Sequence, residues 1–431
     1  MKNLVVHPVK RLIGSIEIPG DKSISHRAVM MGSLAYGTTH IRHFLSSADC
    51  LSTIGIFRNM GVNIKQAGDR ITIQGKGLNS LKPSKKILNA GNSGTTARIL
   101  LGLLAGQPFT SRLTGDKYLC RRPMKRVTAP LGQMGARITG TDEANLLPLK
   151  LEPRKLKGIT YKLPVASAQV KSALLLAGLF AEGKTSVTEP APTRDHTERM
   201  FSAFSIPYSR RGKKITVQGP VSPFKGRNLD IPGDISSAAF FVVAGLLAPQ
   251  SQLTLKNVGV NPTRTGLLEV LKKMGAHITV TTKKTRKGEE PVADITVYSS
   301  NLKGVEVGGE VIPRMIDEFP ILAVAATQAR GTTVIRNAGE LKVKESDRIL
   351  MMTVTLKKMG ANIKPTDDGW IIQGPTTLSG CSLSSGGDHR IAMSLAIAAL
   401  IAQGPTTIMD TVNIDTSFPG FSKFLQKVSR F

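Results

Sequence analysis

Cysteine is scarce in this 431-residue chain: Cys50, Cys120 and Cys381 are odd in number and widely spaced. They form neither a disulfide framework nor a zinc pattern, and they suit a reducing compartment. No apolar run is long enough to cross a bilayer; the longest, Ala238–Ala248 and Ile391–Ala402, fall well short. The opening MKNLVVHPVKRL lacks the apolar core of a secretory signal. A cytoplasmic protein with no membrane partner is therefore expected. Aromatics make up only 5%, and 30 acidic residues against 58 Lys and Arg leave a net charge of +28. Such a charge invites nucleic acid. The basic residues are spread along the whole length, however, and no helix-turn-helix, RRM or zinc-finger pattern accompanies them. A basic field equally steers small anionic substrates, so no nucleic-acid partner is expected.

What the chain does have is repetition. Its length favours two domains over one. An apolar helix with a polar start recurs six times, beginning near Asp21, Gly91, Ala166, Asp234, Ile316 and Gly387, at intervals of 70, 75, 68, 82 and 71 residues. Each is followed by a Thr- or Ser-rich strand: TTHIRHF, FTSRLTG, TSVTEPA, SQLTLKN, TTVIRNA and TTIMDTV. A second helix follows, often closed by Met-Gly, as at Met60-Gly61, Met134-Gly135, Met274-Gly275 and Met359-Gly360; glycine suits the turn that ends a helix. Short alternating strands such as Ile71–Ile73, Ile215–Val217 and Ile371–Ile372 complete the unit. The unit reads strand–helix–strand–helix–strand–strand, with a polar hairpin at Lys283–Glu290 accounting for the long fourth interval. Three units make one α/β half and six make two, with equivalent polar helix starts gathered on one side of each half.

Those starts carry the chemistry. PGDKSISHR, Pro19–Arg27, follows the alternating Ser15–Ile18 and precedes the apolar Ala28–Ala35. It reads as a strand-to-helix turn with Asp21 or Ser23 as the cap. Lys22 lies at the positive end of the helix, and Ser23 and Arg27 share one face, which makes an anion site. The second copy, NAGNSGTTAR at 89–98, has Gly91 and Gly94 for close backbone approach and Asn92, Ser93 and Thr95 as donors. Arg121-Arg122 forms a corner suited to bidentate carboxylate or phosphate contact. The third opens with Ala166-Ser167-Ala168-Gln169-Val170-Lys171 and continues to Thr193-Arg194-Asp195-His196. The fifth places Asp317 beside a helix start, and its second helix is read from Lys344-Glu345-Ser346-Asp347-Arg348, with Lys344 and Arg348 on one face. The sixth opens with Gly387-Asp388-His389-Arg390.

Two patterns mislead. Gly178–Thr185 fits the phosphate-loop spacing, but a helix (Ser172–Phe180) precedes it and a strand follows, the inverse of a working loop. His40 and His43 have no Cys, Asp or Glu at ligand spacing, so no metal is expected.

PGDKSISHR, GNSGTTAR, RRPM, ASAQVKSALLLAG, TRDHTE, IDEFP, KVKESDR and GGDHRIAM, in this order, resemble the 5-enolpyruvylshikimate-3-phosphate synthases from about Leu4 to Phe424. The resemblance implies a two-domain inside-out α/β barrel with three repeats per domain and no cofactor. It assigns 22–231 to one domain and 1–21 with 232–431 to the other, with the site in the cleft between them. The implied reaction transfers the enolpyruvyl group of phosphoenolpyruvate to the 5-hydroxyl of shikimate 3-phosphate, releasing phosphate, in the shikimate pathway to chorismate and aromatic amino acids. By resemblance, Lys22, Ser23, Arg27, Ser167, Ala168, Gln169, Arg194, Asp317 and Lys344 meet shikimate 3-phosphate. Lys22, Gly94, Thr95, Arg122, Gln169, Arg348 and Arg390 meet phosphoenolpyruvate. Asp317 takes the hydroxyl proton, and Glu345 or Lys22 moves protons at the methylene and the leaving phosphate. A monomer that closes on its substrates and is a target of glyphosate is implied as well.

Departures from the family pattern are few. Ala168 marks a Ser-Ala-Gln subgroup, and Thr416 stands where other members carry Lys. UDP-N-acetylglucosamine enolpyruvyl transferases share the repeat but carry Asn after the equivalent Lys and a reactive Cys in a longer loop. Here Ser23 follows Lys22, and Cys120 lies two residues before Arg122.

Overall fold

Helices buried on nearly every side belong inside a core, and six such helices, mostly apolar with polar residues near their starts, set the architecture. The computed structural model describes residues 3–285 and 288–431; the polar insertion at 283–290 thus includes two residues outside the described ones, as does the very start of the chain. The six helices are Lys22–Leu34, Gly94–Ala105, Ala168–Gly178, Ile235–Leu247, Phe319–Thr327 and His389–Ala399. In Ile235–Leu247 every residue but the last is buried. Five of the six are opened by a side chain that accepts a first-turn N–H: Asp21 from Ile24, Ser93 from Thr96, Ser167 from Val170, Asp234 from Ser236 and Asp388 from Arg390. The cap of the first helix is therefore Asp21, and Ser23 lies inside the helix. Phe319–Thr327 instead has Pro320 in its first turn, where a missing N–H costs nothing. Among the described residues no helix is long and apolar enough to cross a membrane.

The chain forms two units. One is Gly20–Ile231 with a short segment that ends at Glu290; the other is Met1–Pro19 with Pro232–Thr285 and Pro291–Phe431. Gly20–Ile231 holds three four-stranded sheets of one pattern. Their strand orders are Asn228–Asp230, Tyr36–Arg42, Arg70–Lys76, Asn63–Ala67; Leu88–Asn89, Ser111–Thr114, Leu146–Glu152, Arg137–Gly140; and Thr160–Lys162, Gly183–Thr188, Lys214–Gly219, Tyr208–Arg211. In each the first pair is parallel and the rest antiparallel. The Thr-rich strand after each buried helix is always the second, so the helix covers the sheet to which it is joined. The helices Gly94–Ala105 and Ala168–Gly178 pack at backbone distance: a Cβ on Gly102 would lie 1.9 Å from the Ala173 carbonyl oxygen. Glycine is required there by contact alone.

The other unit repeats the plan. Glu306–Val307, Gly331–Ile335, Gly369–Gly374 and Asn362–Thr366 form one sheet of the same order. A second pairs Arg11–Glu17 in parallel with Gln252–Gly259, and a third pairs Leu4–Val6 antiparallel with Thr406–Met409. The turn read at Pro19–Arg27 is corrected in one respect. The strand that precedes Lys22–Leu34 along the chain, Arg11–Glu17, belongs to the other unit's sheet. The parallel partner of Tyr36–Arg42 is Asn228–Asp230, which returns some two hundred residues later with Asn228 opposite His40. Second helices end as their Met-Gly pairs suggest, with Gly61, Gly135, Gly275 and Gly360 at φ between +86° and +98°.

Candidate functional site

In Gly20–Ile231 the helix starts bring together a cationic cluster. Lys22 Nζ lies 3.1 Å from Asp49 Oδ2, the first acidic residue of the Ala48–Asn59 helix. Arg27 is buried one turn further on. Its Nε donates to Thr197 Oγ1 (2.8 Å), Nη2 to Ser172 Oγ (2.8 Å) and Nη1 to the Ser23 carbonyl (2.9 Å), all neutral acceptors. Burial pushes this guanidinium down to about 10; Glu198 and Asp21 oppose the shift and Arg194 adds to it. Arg27 and Arg194 are thus close enough to feel each other. His26, next in the motif, is a core residue bonded to Thr53 and Thr96. Burial, then Lys22 and Arg27, hold its pKa well below the usual value, so it is neutral.

The glycine loop contributes through contact. A Cβ on Gly94 would sit 3.1 Å from both Arg122 Nη1 and Arg98 Nη1, so the two guanidiniums lie against the bare backbone. Gln169 bridges two copies: its Nε2 donates to Thr95 Oγ1 (3.1 Å) and its Oε1 accepts from Arg98 Nη1 (2.9 Å). Ser167 caps its own helix, and Ala168 begins it. Of the paired arginines, Arg122 turns inward to the Asn92 carbonyl (3.4 Å), whereas Arg121 is exposed.

The other unit gathers Asp317, Glu345, Arg348 and Arg390. Arg348 is buried and held on three sides: Nε to Asp388 Oδ2 at 2.8 Å, Nη2 to Glu345 Oε2 at 2.6 Å, and Nη1 to Asp317 Oδ1 at 3.5 Å. Burial works against its charge, yet Asp388, Glu345 and Asp317 together raise its pKa above the ordinary value. Arg390 Nη1 donates to the Asp317 carbonyl at 3.1 Å, and Nη2 lies 3.7 Å from its carboxylate. Lys344 departs from expectation. Asp347 caps Leu350, so the helix begins at Arg348, and Lys344 stands outside it as the residue after a short 3-10 turn. Lys344 and Arg348 therefore share no helical face. Burial lowers the Lys344 pKa; Asp317 opposes the shift and Arg348 adds to it. The Thr416 hydroxyl donates to the Asn413 carbonyl of its own turn (2.6 Å).

Several residues escaped the reading of the sequence. Arg98 lies inside the quoted glycine motif, four residues after Gly94 and hence on its face. Asp388 has a double duty, capping a helix and holding Arg348. Asp234, Ser236, Arg264 and Glu318 form a buried network at two helix starts, with Arg264 Nη2 donating to Ser236 Oγ (2.6 Å) and Asp234 Oδ1 (3.2 Å), and Ser236 to Glu318. Their only signal was a capping residue and a polar start. Cys120 donates to the Gly115 carbonyl within its own turn. Gly178 ends a helix and Gly183–Thr188 is a strand, so the phosphate-loop spacing is a coincidence of sequence. His40 lies exposed on its strand, and among the described residues no group of three or more potential metal ligands comes together.

The family model of EPSP synthase (3-phosphoshikimate 1-carboxyvinyltransferase) matches residues 6–425. Proteins named 3-phosphoshikimate 1-carboxyvinyltransferase from Bacillus thuringiensis subsp. konkukian and Bacillus cereus (strain ATCC 10987 / NRS 248) are each 54% identical over 432 residues, covering 100% of both chains. The solved structure of EPSP synthase from Acinetobacter baumannii superimposes with a TM-score of 0.89 at 46% identity, covering 100% of this chain and 98% of that one. The architecture is accordingly the two-domain inside-out α/β fold. With helix-start clusters, repeat and full-length likeness in agreement, the chain belongs to the EPSP synthase (3-phosphoshikimate 1-carboxyvinyltransferase) family.

Proposed function

We propose that the two clusters serve one reaction, transfer of the enolpyruvyl group of phosphoenolpyruvate to the 5-hydroxyl of shikimate 3-phosphate with release of phosphate. The reaction itself follows from family membership across the whole chain. The residue roles are our reading. Lys22, Ser23, Arg27, Ser167, Ala168, Gln169 and Arg194, with Asp317 and Lys344, hold shikimate 3-phosphate. Lys22, Gly94, Thr95, Arg122, Gln169, Arg348 and Arg390 hold phosphoenolpyruvate. Domain limits at 21/22 and 231/232 belong to this reading, as do the Ser-Ala-Gln subgroup marked by Ala168 and a monomer working in the cytoplasm.

The observation that carries the assignment is the setting of Asp317. Arg390 grips its carbonyl and Arg348 its carboxylate, which fixes the side chain while Glu345 and Lys344 stand close by. A carboxylate so held can accept the 5-hydroxyl proton as the hydroxyl oxygen bonds to C2 of phosphoenolpyruvate. A proton delivered to the methylene carbon, from Glu345 or Lys22, completes a tetrahedral ketal phosphate. Elimination then breaks the C–O bond to phosphate, and a proton leaves the methyl group to restore the enol ether. The cations stabilise charge that moves onto the leaving phosphate.

Phosphate release with both substrates present is the direct test. Equal yields of phosphate and 5-enolpyruvylshikimate 3-phosphate are expected. Release with UDP-N-acetylglucosamine in place of shikimate 3-phosphate would overturn the reading.

A further inference from the structure

Lys171 lies in the first turn of the largely apolar Ala168–Gly178 helix and is fully buried. A buried ammonium is retained only where it is paired. Its Nζ stands 2.8 Å from Glu198 Oε1 and 3.1 Å from Glu189 Oε1, and both carboxylates are themselves buried. The contacts are ion pairs whose angles fall off the hydrogen-bond directions. Neither glutamate lies near Lys171 in sequence: Glu189 follows the Gly183–Thr188 strand, and Glu198 is on the His196–Ala203 helix.

Each glutamate leads to a different cation. Glu189 Oε1 accepts the Thr193 N–H at 3.1 Å and the Thr193 hydroxyl as well, which closes the turn immediately before Arg194. Glu198 adjoins Thr197, whose hydroxyl accepts from Arg27 Nε and meets Ser172 Oγ at 2.7 Å. Ser172 follows Lys171 and accepts from Arg27 Nη2. Lys171 therefore ties together the helix that begins with Ser167 and Gln169, the turn that presents Arg194 and the helix that holds Arg27. Two guanidiniums brought near each other repel, and a bidentate phosphate site tolerates little misplacement.

We propose that Lys171, Glu189 and Glu198 are positioning residues for shikimate 3-phosphate, with Glu189 setting the turn that carries Arg194. This rests on the assignment of Arg27 and Arg194 to that substrate above. Lys171 shares a helical turn with Gln169, which is assigned to both substrates, whereas Glu189 leads only to the turn before Arg194, so the selective effect is expected of Glu189.

The test measures both Michaelis constants, and the melting temperature, for the full-length enzyme. Glu189→Ala should raise KM for shikimate 3-phosphate about tenfold or more while KM for phosphoenolpyruvate stays within about threefold. Glu189→Gln keeps an oxygen that accepts from Thr193, and it should stay within about threefold of the parent for both substrates. Thr193→Val removes one donor and leaves the trio intact; a rise of about fivefold for shikimate 3-phosphate alone is expected. If Glu189→Ala does not fold, Thr193→Val decides. Equal rises for both substrates, or Gln behaving like Ala, or a lower melting temperature with unchanged constants would each overturn the proposal. A parent enzyme that turns over neither substrate would overturn the functional reading and this inference with it, whereas an active parent with selective effects absent overturns the inference alone.

Discussion

Arg27 and Arg348 are both buried guanidiniums, one in each unit, the first in the second turn of its helix and the second at a helix start, and their surroundings are opposite. Arg27 is held by two hydroxyls and a carbonyl, and its pKa falls to about 10. Arg348 is held by three carboxylates, and its pKa rises. Neutral acceptors orient a cation without cancelling its charge, so Arg27 keeps its attraction for an anion from outside. Carboxylates cancel the charge and are in turn fixed by it. The first setting leaves a buried cation without a carboxylate in hydrogen-bond contact, and the second fixes three carboxylates around one cation. The same repeat supplies both because its helix starts fix positions, not residue types.

Asp317→Asn tests the proton-transfer side with the largest expected effect. Turnover should fall by roughly two to four orders of magnitude, the range for a general base, while shikimate 3-phosphate still binds. Calorimetry and single-turnover kinetics on the same variant check it, and near-normal turnover would remove Asp317 from the mechanism.

A matched pair addresses the contrast itself. Arg348→Met leaves Asp388, Glu345 and Asp317 without their shared cation, and unfolding in urea should show a loss of about 3–5 kcal/mol. Arg27→Met removes a charge that has no carboxylate in hydrogen-bond contact, so stability should change by about 1 kcal/mol or less. Its cost should appear in binding instead, as a roughly tenfold to hundredfold weaker affinity for shikimate 3-phosphate. Equal stability losses in the two variants would erase the contrast.

The pH dependence separates the same two arginines more gently. The folded pKa of Arg27, about 10, lies below its ordinary value. The depressed value costs folding stability at pH below about 10, and that cost is relieved as pH rises from there toward the ordinary value. A bound phosphate favours the charged form, so binding near pH 10 should take up protons, and affinity should fall as pH rises through that value. Titration calorimetry in buffers of different ionisation enthalpy reads the uptake; Arg27→Met should reduce it, leaving the share that Lys344 contributes. The smallest effect is expected at Cys120. Its thiol is occupied within its own turn, so Cys120→Ser should keep most activity, as a steady-state assay would register.

Local features were legible in the sequence and distant ones were not. The buried helices showed because an uninterrupted apolar run with a capping residue is a local signal; Asp21, Asp234 and Asp388 sit where capping requires. Lys344 lies outside the helix because Asp347, three residues on, caps it and the helix starts at Arg348. Arg98 could have been found from its spacing to Gly94. No spacing links Lys171 to Glu189 and Glu198, which meet only once a strand and a turn have folded back. The partner of Tyr36–Arg42 was equally hidden, since parallel pairing leaves no mark on the distant segment that supplies it.

That pairing brings the two ends of a long stretch together. Ile231 donates its backbone N–H to Arg42, and Gly20 packs beside Ile231, so the 20–231 stretch begins and ends at one spot of its own fold. A segment whose two ends meet can enter a host chain at a single connection without threading through it. Its host strand, Arg11–Glu17, still lies beside Gln252–Gly259, as though nothing had come between them. The chain therefore leaves and re-enters one sheet at neighbouring strands, and the 20–231 stretch folds as a closed excursion between them.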